Sequence, residues 1–151
     1  LIFLNAYLVE LFVNYSVHIT NELLSFSSIT VIYYQILLLF ESKQEIIRVN
    51  LEKDRSVKVP KQQLQNKGNR YYFKETVSLS EGNIFISPLD LNIEYGEIEQ
   101  PLKPMIRIGA PLYNQQGKKN GVLILNYLAQ NLLNKLLKST SEAQEVSLLN
   151  A

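Results

Sequence analysis

Asn69-Arg70-Tyr71-Tyr72-Phe73 sets one guanidinium beside three aromatic rings. A guanidinium offers a planar, bidentate set of donors, and the rings add an apolar wall and a hydroxyl donor. The combination suits a small carboxylate with an aliphatic tail. Its structural alternative is an arginine packed on a tyrosine ring. Ser87-Pro88-Leu89-Asp90-Leu91-Asn92 directly follows one apolar stretch, and Arg107 stands in the next. If those stretches are strands of one sheet, polar groups of both signs meet at one mouth of it. A ligand amine would suit Asp90, and a ligand carboxylate would suit Arg70 or Arg107.

Other chemistries find little support. A serine triad needs a general base, and His18 is the only histidine. The absence of cysteine excludes a thiol nucleophile, a disulfide framework and cysteine-ligated metal. Neither standard glycine-rich phosphate loop occurs. Glu94, Glu97 and Glu99 flank Gly96 and read as a solvated loop, and Lys118-Lys119 reads as an exposed hairpin tip. Fifteen basic against fourteen acidic residues give a net charge of +1, so no bulk field favours nucleic acid. The expectation is a binding protein rather than an enzyme, without metal or cofactor.

The elements that must position these groups follow from patterning. The chain has 151 residues, of which 46% are hydrophobic and 19% charged, which suits one globular domain. It begins with Leu1, and we expect a fragment or a processed chain. Residues 1–28 read as a helix whose polar stripe is Glu10, Asn14, His18 and Asn21. The rest of its surface is apolar, which fits a core helix, a partner helix in a homodimer, or a trimmed membrane anchor. Residues 29–138 read as a sheet domain. Its strands are Ile29–Phe40, Glu45–Asn50, Asn83–Pro88, Met105–Tyr113 and Val122–Tyr127. Ile84 and Ile86 alternate with Phe85 and Ser87. Pro111 argues that its strand lies at an edge or ends early. Leu51–Lys58 reads as a polar segment, Lys61–Lys74 as a loop with helical turns, and Asp90–Glu99 as a polar excursion. Ala129–Lys138 is a closing helix, and residues 139–151 extend it or form a tail. The fold class is mixed α/β (α+β), with a PAS-like five-stranded antiparallel sheet between a long N-terminal and a C-terminal helix.

Six blocks in order give this chain a resemblance. They are Ile46–Asn50, Leu64–Lys67, Arg70–Phe73, Ile86–Asn92, Pro101–Arg107 and Gly121–Tyr127. From about Tyr34 to Leu137 the chain resembles the Cache (PDC, PAS-like) extracytoplasmic sensor domains of bacterial transmembrane receptors. Arg70-x-Tyr72-Phe73 is similar to the Arg-x-Tyr-Phe signature that lines the ligand pocket in many of them. The resemblance implies a sheet facing a pocket for an organic acid or amino acid, held here by Arg70, Tyr72, Phe73, Asp90, Asn92 and Arg107. It also implies a homodimer through the N-terminal helix, membrane anchoring through segments outside this chain, and a periplasmic location. The implied output is a histidine kinase, diguanylate cyclase or chemotaxis module, none of which is present here. The alternative is a Cache-like dimerisation module, or a truncated receptor, that binds no ligand.

Overall fold

In the computed structural model, residues 32–39, 41–52 and 55–139 are described. The expected helix over residues 1–28, with His18, lies outside them, as does the tail beyond residue 139. In chain order the elements are β1 (Ile32–Leu39), β2 (Glu45–Glu52), β3 (Arg55–Lys58) and a 3₁₀ turn (Lys61–Gln63). Then come α1 (Tyr71–Ser78), β4 (Phe85–Ile86), β5 (Asp90–Leu91), β6 (Ile93–Glu94) and β7 (Glu97–Ile98). Next are β8 (Pro104–Tyr113), β9 (Lys119–Leu128) and α2 (Gln130–Ser139).

All pairings are antiparallel, with strand order β3-β2-β1-β9-β8-β4, and β5 also pairs with β8. The strands β6 and β7 form a separate hairpin. The five expected strands correspond to β1, β2, β4, β8 and β9. The sheet, however, has seven strands rather than five. The polar segment after β2 turns back as β3, where Arg55, Val57 and Lys58 are exposed. An edge strand wet on both faces shows no apolar alternation, which is why its sequence reads as a loop.

The apolar strand Val122–Tyr127 falls inside β9, between β1 and β8. Val122 and Ile124 on one face and Leu123 and Leu125 on the other are all buried, as expected of a central strand. The core on the α1 side joins Tyr72, Phe73, Met105, Val122 and Ile124, with Val77, Phe85 and Leu128 packed against it. Helix α1 comes so close to β8 that a Cβ on Gly109 would lie 2.0 Å from Thr76 Oγ1. Thr76 is itself buried and donates back to Tyr72 O at 2.7 Å.

Around β4, Phe85 and Ser87 turn inward, whereas Ile84 and Ile86 are exposed. The reason lies in the partners. The Ser87 hydroxyl accepts the Arg107 N–H at 2.8 Å and donates to Pro88 O at 2.7 Å, while Phe85 packs edge-on to Tyr71. The tip at Lys118-Lys119 also divides. Lys118 is exposed, but Lys119 Nζ donates to Val77 O and Leu79 O and so caps the last carbonyls of α1. Pro111 does not end its strand. Among the described residues, β4 pairs with β8 only at Ile108 and Gly109, so Pro111 faces no strand on that side.

Candidate functional site

Helix α1 begins immediately after Arg70, whose extended backbone ends the preceding loop and provides no side-chain cap. The first two helical residues then diverge. Tyr72 turns into the core, and Tyr71 stays 37% exposed, its ring edge-on to Tyr72 and Phe85. Arg107 stands on β8 opposite Asn126 of β9 and is only 1% exposed. A charge at that depth needs partners. Arg107 donates to the Asp90 carboxylate and to Asn92 Oδ1 at 3.2 Å. Its guanidinium carbon lies 4.8 Å from the Tyr72 ring centroid. The Arg70 guanidinium lies over the same ring at 5.5 Å.

Asp90 is held twice, because the Tyr71 hydroxyl donates to its Oδ2 at 2.6 Å. Burial works against the charged form of Arg107, but Asp90 outweighs it and raises its pKa above the ordinary arginine value. The Tyr71 hydroxyl is shifted upward, first by burial and then by its bond to Asp90. Burial also raises Tyr72, against the pull of Arg107 and Arg70. Arg70 differs from Arg107. Among the described residues it has no carboxylate at ion-pair distance, whereas the Nε atoms of both arginines are buried without a hydrogen-bond partner. An open cleft of about 450 Å³ lies in front of it, lined by Asn69, Arg70, Tyr71, Asp90, Leu91, Ile93 and Ile98.

Of the six residues expected at a pocket, Arg70 and Asp90 therefore line the cleft directly. Tyr72 and Arg107 lie behind them. Asn92 is buried farther back and joins Arg107 to a second cluster. Phe73 belongs to the hydrophobic core and does not line the cleft. Tyr71 is the residue that sequence reasoning passed over. Three aromatics in a row do not reveal which one faces outward until the helix start is fixed.

The second cluster was not foreseen. Glu45 and Arg48 of β2, Lys67 of the loop before α1, and Glu94 of β6 meet below the hairpin of β6 and β7. Arg48 Nη1 and Lys67 Nζ approach Glu94 Oε2 at 3.0 and 3.4 Å, and Glu45 Oε1 at 3.6 and 3.9 Å. The backbone N–H of Gln65 donates to Glu45 Oε2 at 2.9 Å, and its side chain donates to Glu94. Asn92 Nδ2 donates to Glu94 Oε1 at 3.4 Å and Glu99 Oε2 at 2.7 Å. Polar contacts thus run without a break from Asp90 through Arg107, Asn92 and Glu94 to Arg48. Glu94 is accordingly paired rather than solvated, and Glu99 is bound by Asn92 and Lys103; Glu97 alone of the three is exposed. Burial raises Glu45 and lowers Lys67. Burial would raise Glu94 as well, but Lys67, Arg48, Gln65 and Asn92 together hold it below the usual carboxylate range. The available signal was a Glu and an Arg inside an apolar strand, Glu45-Ile46-Ile47-Arg48.

A family model described as the sensor domain of bacterial histidine kinases matches residues 7–151. No curated protein matches the chain. Among solved structures, it is similar to a domain of a Vibrio parahaemolyticus protein assigned to the sensory box/GGDEF family. That match has a TM-score of 0.70 and 26% identity, and covers 78% of this chain and 44% of the other. The extracellular domain of vpHK1S-Z8, assigned as a histidine kinase, gives a TM-score of 0.69 and 25% identity over 80% of this chain and 42% of that one. The chain thus spans less than half the length of either. The ligand-binding domain of the Campylobacter jejuni chemoreceptor Tlp3, solved with 4-methylisoleucine, has a TM-score of 0.63, with 91% of this chain and 53% of the other covered. At 14% identity that likeness is one of fold.

Proposed function

The chain belongs to the bacterial histidine kinase sensor-domain family, and from that premise we propose that it binds a small organic acid or amino acid in the cleft before α1. It is a sensor domain of a signal-transduction receptor rather than an enzyme. We further propose an extracytoplasmic location and a cytoplasmic output module outside this chain. The relatives described as extracellular or periplasmic domains support that location.

The observation that carries the proposal is Arg70. A guanidinium with no carboxylate partner among the described residues stands at the wall of an open cleft. Hydrogen bonds to a charged group contribute about 1.5–3 kcal/mol, which a carboxylate ligand on this guanidinium would supply. Leu91, Ile93 and Ile98 offer an apolar surface for the remainder of the ligand. A thermal-shift screen of small organic acids and amino acids tests the proposal. A ligand present at about 100 times its dissociation constant stabilises the folded state by ~2.7 kcal/mol. A screen in which no acid or amino acid shifts the transition contradicts it and favours a domain that binds nothing.

We also propose that the chain dimerises through the apolar face of residues 1–28. Sedimentation should reveal a concentration-dependent dimer that Leu8→Glu with Leu11→Glu weakens. A strictly monomeric chain at ~100 μM contradicts this.

A further inference from the structure

We infer that the cleft selects an aliphatic monocarboxylate over the amino acid of the same carbon skeleton, because Arg107 and Tyr71 already occupy Asp90. The inference rests on the proposed reading of the cleft as a ligand site and names the charge type that the site accepts.

Asp90 is the only acidic side chain among the cleft-lining residues, and so the natural partner for a ligand ammonium. Both of its oxygens are engaged. Oδ1 accepts from the Arg107 guanidinium, and Oδ2 accepts from the Tyr71 hydroxyl at 2.6 Å. An arriving ammonium must share a carboxylate whose charge is already matched by a buried arginine. Displacing that arginine would leave a guanidinium 1% exposed with no counter-charge.

Arg70 is in the opposite state. Its charge has no acidic partner among the described residues. Helix α1 starts at the next residue with no side-chain cap and no acidic residue in its first turn. The positive end of its dipole therefore adds to the field of Arg70. Two guanidiniums against one carboxylate leave this mouth of the sheet with a net positive charge. An anion neutralises that charge. A zwitterion brings its ammonium into the same field and meets no free carboxylate. Tyr71 is thus a specificity residue, because it is the more exposed of the two residues holding Asp90.

Calorimetric titration of the chain with isocaproate, L-leucine and isohexylamine separates the cases, because the three probes share one carbon skeleton. The expected order is isocaproate tightest, leucine weaker by roughly tenfold or more, and the amine unbound. In Tyr71→Phe, which releases Asp90 Oδ2 without touching the core, the advantage of isocaproate over leucine should narrow several-fold. Leucine binding as tightly as isocaproate, or more tightly, overturns the inference and leaves the small-molecule reading standing. A Tyr71→Phe ratio equal to or larger than that of the parent chain overturns the role given to Asp90. Failure of the folded chain to bind any of the three at millimolar concentration removes the cleft reading and the inference with it.

Discussion

Tyr72 contributes its ring rather than its hydroxyl. Both guanidiniums lie over the ring, and the side chain is otherwise packed in the core. Cation–π contacts of desolvated groups contribute about 0.5–2 kcal/mol. Tyr72→Phe should therefore leave ligand affinity and melting nearly unchanged, whereas Tyr72→Leu should weaken both; equal losses in calorimetry and melting would assign the effect to the hydroxyl. The second cluster makes a prediction of opposite signs at its two acids. The folded-state pKa of Glu94 is depressed, so its contribution to stability is present above the unfolded carboxylate value and is lost as pH falls through the folded one. The folded-state pKa of Glu45 is raised, so its contribution is present below the unfolded value and is lost as pH rises through the folded one. In denaturant unfolding from neutral to acid pH, the penalty of Glu94→Gln should be largest near neutrality and fade in acid. Glu45→Gln should instead lose the stabilisation that the parent chain gains from Glu45 on acidification. Parallel pH profiles for the two variants would contradict this account. The residue scale is also where the sequence was least legible. Arg70, Asp90 and Arg107 were identifiable as chemistry, but not that Asp90 and Arg107 neutralise each other and leave Arg70 with no acidic partner among the described residues. That distinction depends on which strand pairs with β8 at Met105, and two-residue β5 has no periodicity to announce it.

The long elements were legible because their burial is uniform. In β9 six consecutive residues, Gly121 to Asn126, are buried, and no other reading of so apolar a run fits a sheet with neighbours on both sides. Leu125, 8% exposed, should cost about 2–5 kcal/mol on Leu125→Ala in denaturant unfolding. A cost below ~1 kcal/mol would make the strand peripheral. The contact of α1 with β8 is as exacting in the other direction. Gly109→Ala sets a methyl group against Thr76 and should cost about 1–3 kcal/mol through overpacking. Gly109→Ala with Thr76→Ser should recover little, because the hydroxyl oxygen is the atom in the way. Thr76→Ala should relieve most of the clash, and a Gly109→Ala that costs nothing by itself would mean that the helix shifts freely. The elements that escaped sequence reading are the short or wet ones. Around β4 the inward side chains are Phe85 and Ser87 while Ile84 and Ile86 face out, so hydrophobicity alone does not tell which face is buried.

At the scale of the molecule, the sheet brings together groups far apart in sequence. The start of α1 presents Arg70 and Tyr71, β8 presents Arg107, and β5 presents Asp90, while Asn92 and Glu94 carry polar contacts onward to Arg48 in β2. A ligand that engages Arg70 thus meets a wall tied to the sheet at both ends of that path. The central claim is that Arg70 receives the carboxylate of a small ligand. Its most direct test is a calorimetric titration of the best acid from a thermal-shift screen against the parent chain and a folded Arg70→Ala variant. The account predicts a loss of ~2–4 kcal/mol, roughly 30- to 1,000-fold in affinity. Equal affinity for the two proteins would make Arg70 a structural arginine stacked on Tyr72 and would contradict the account.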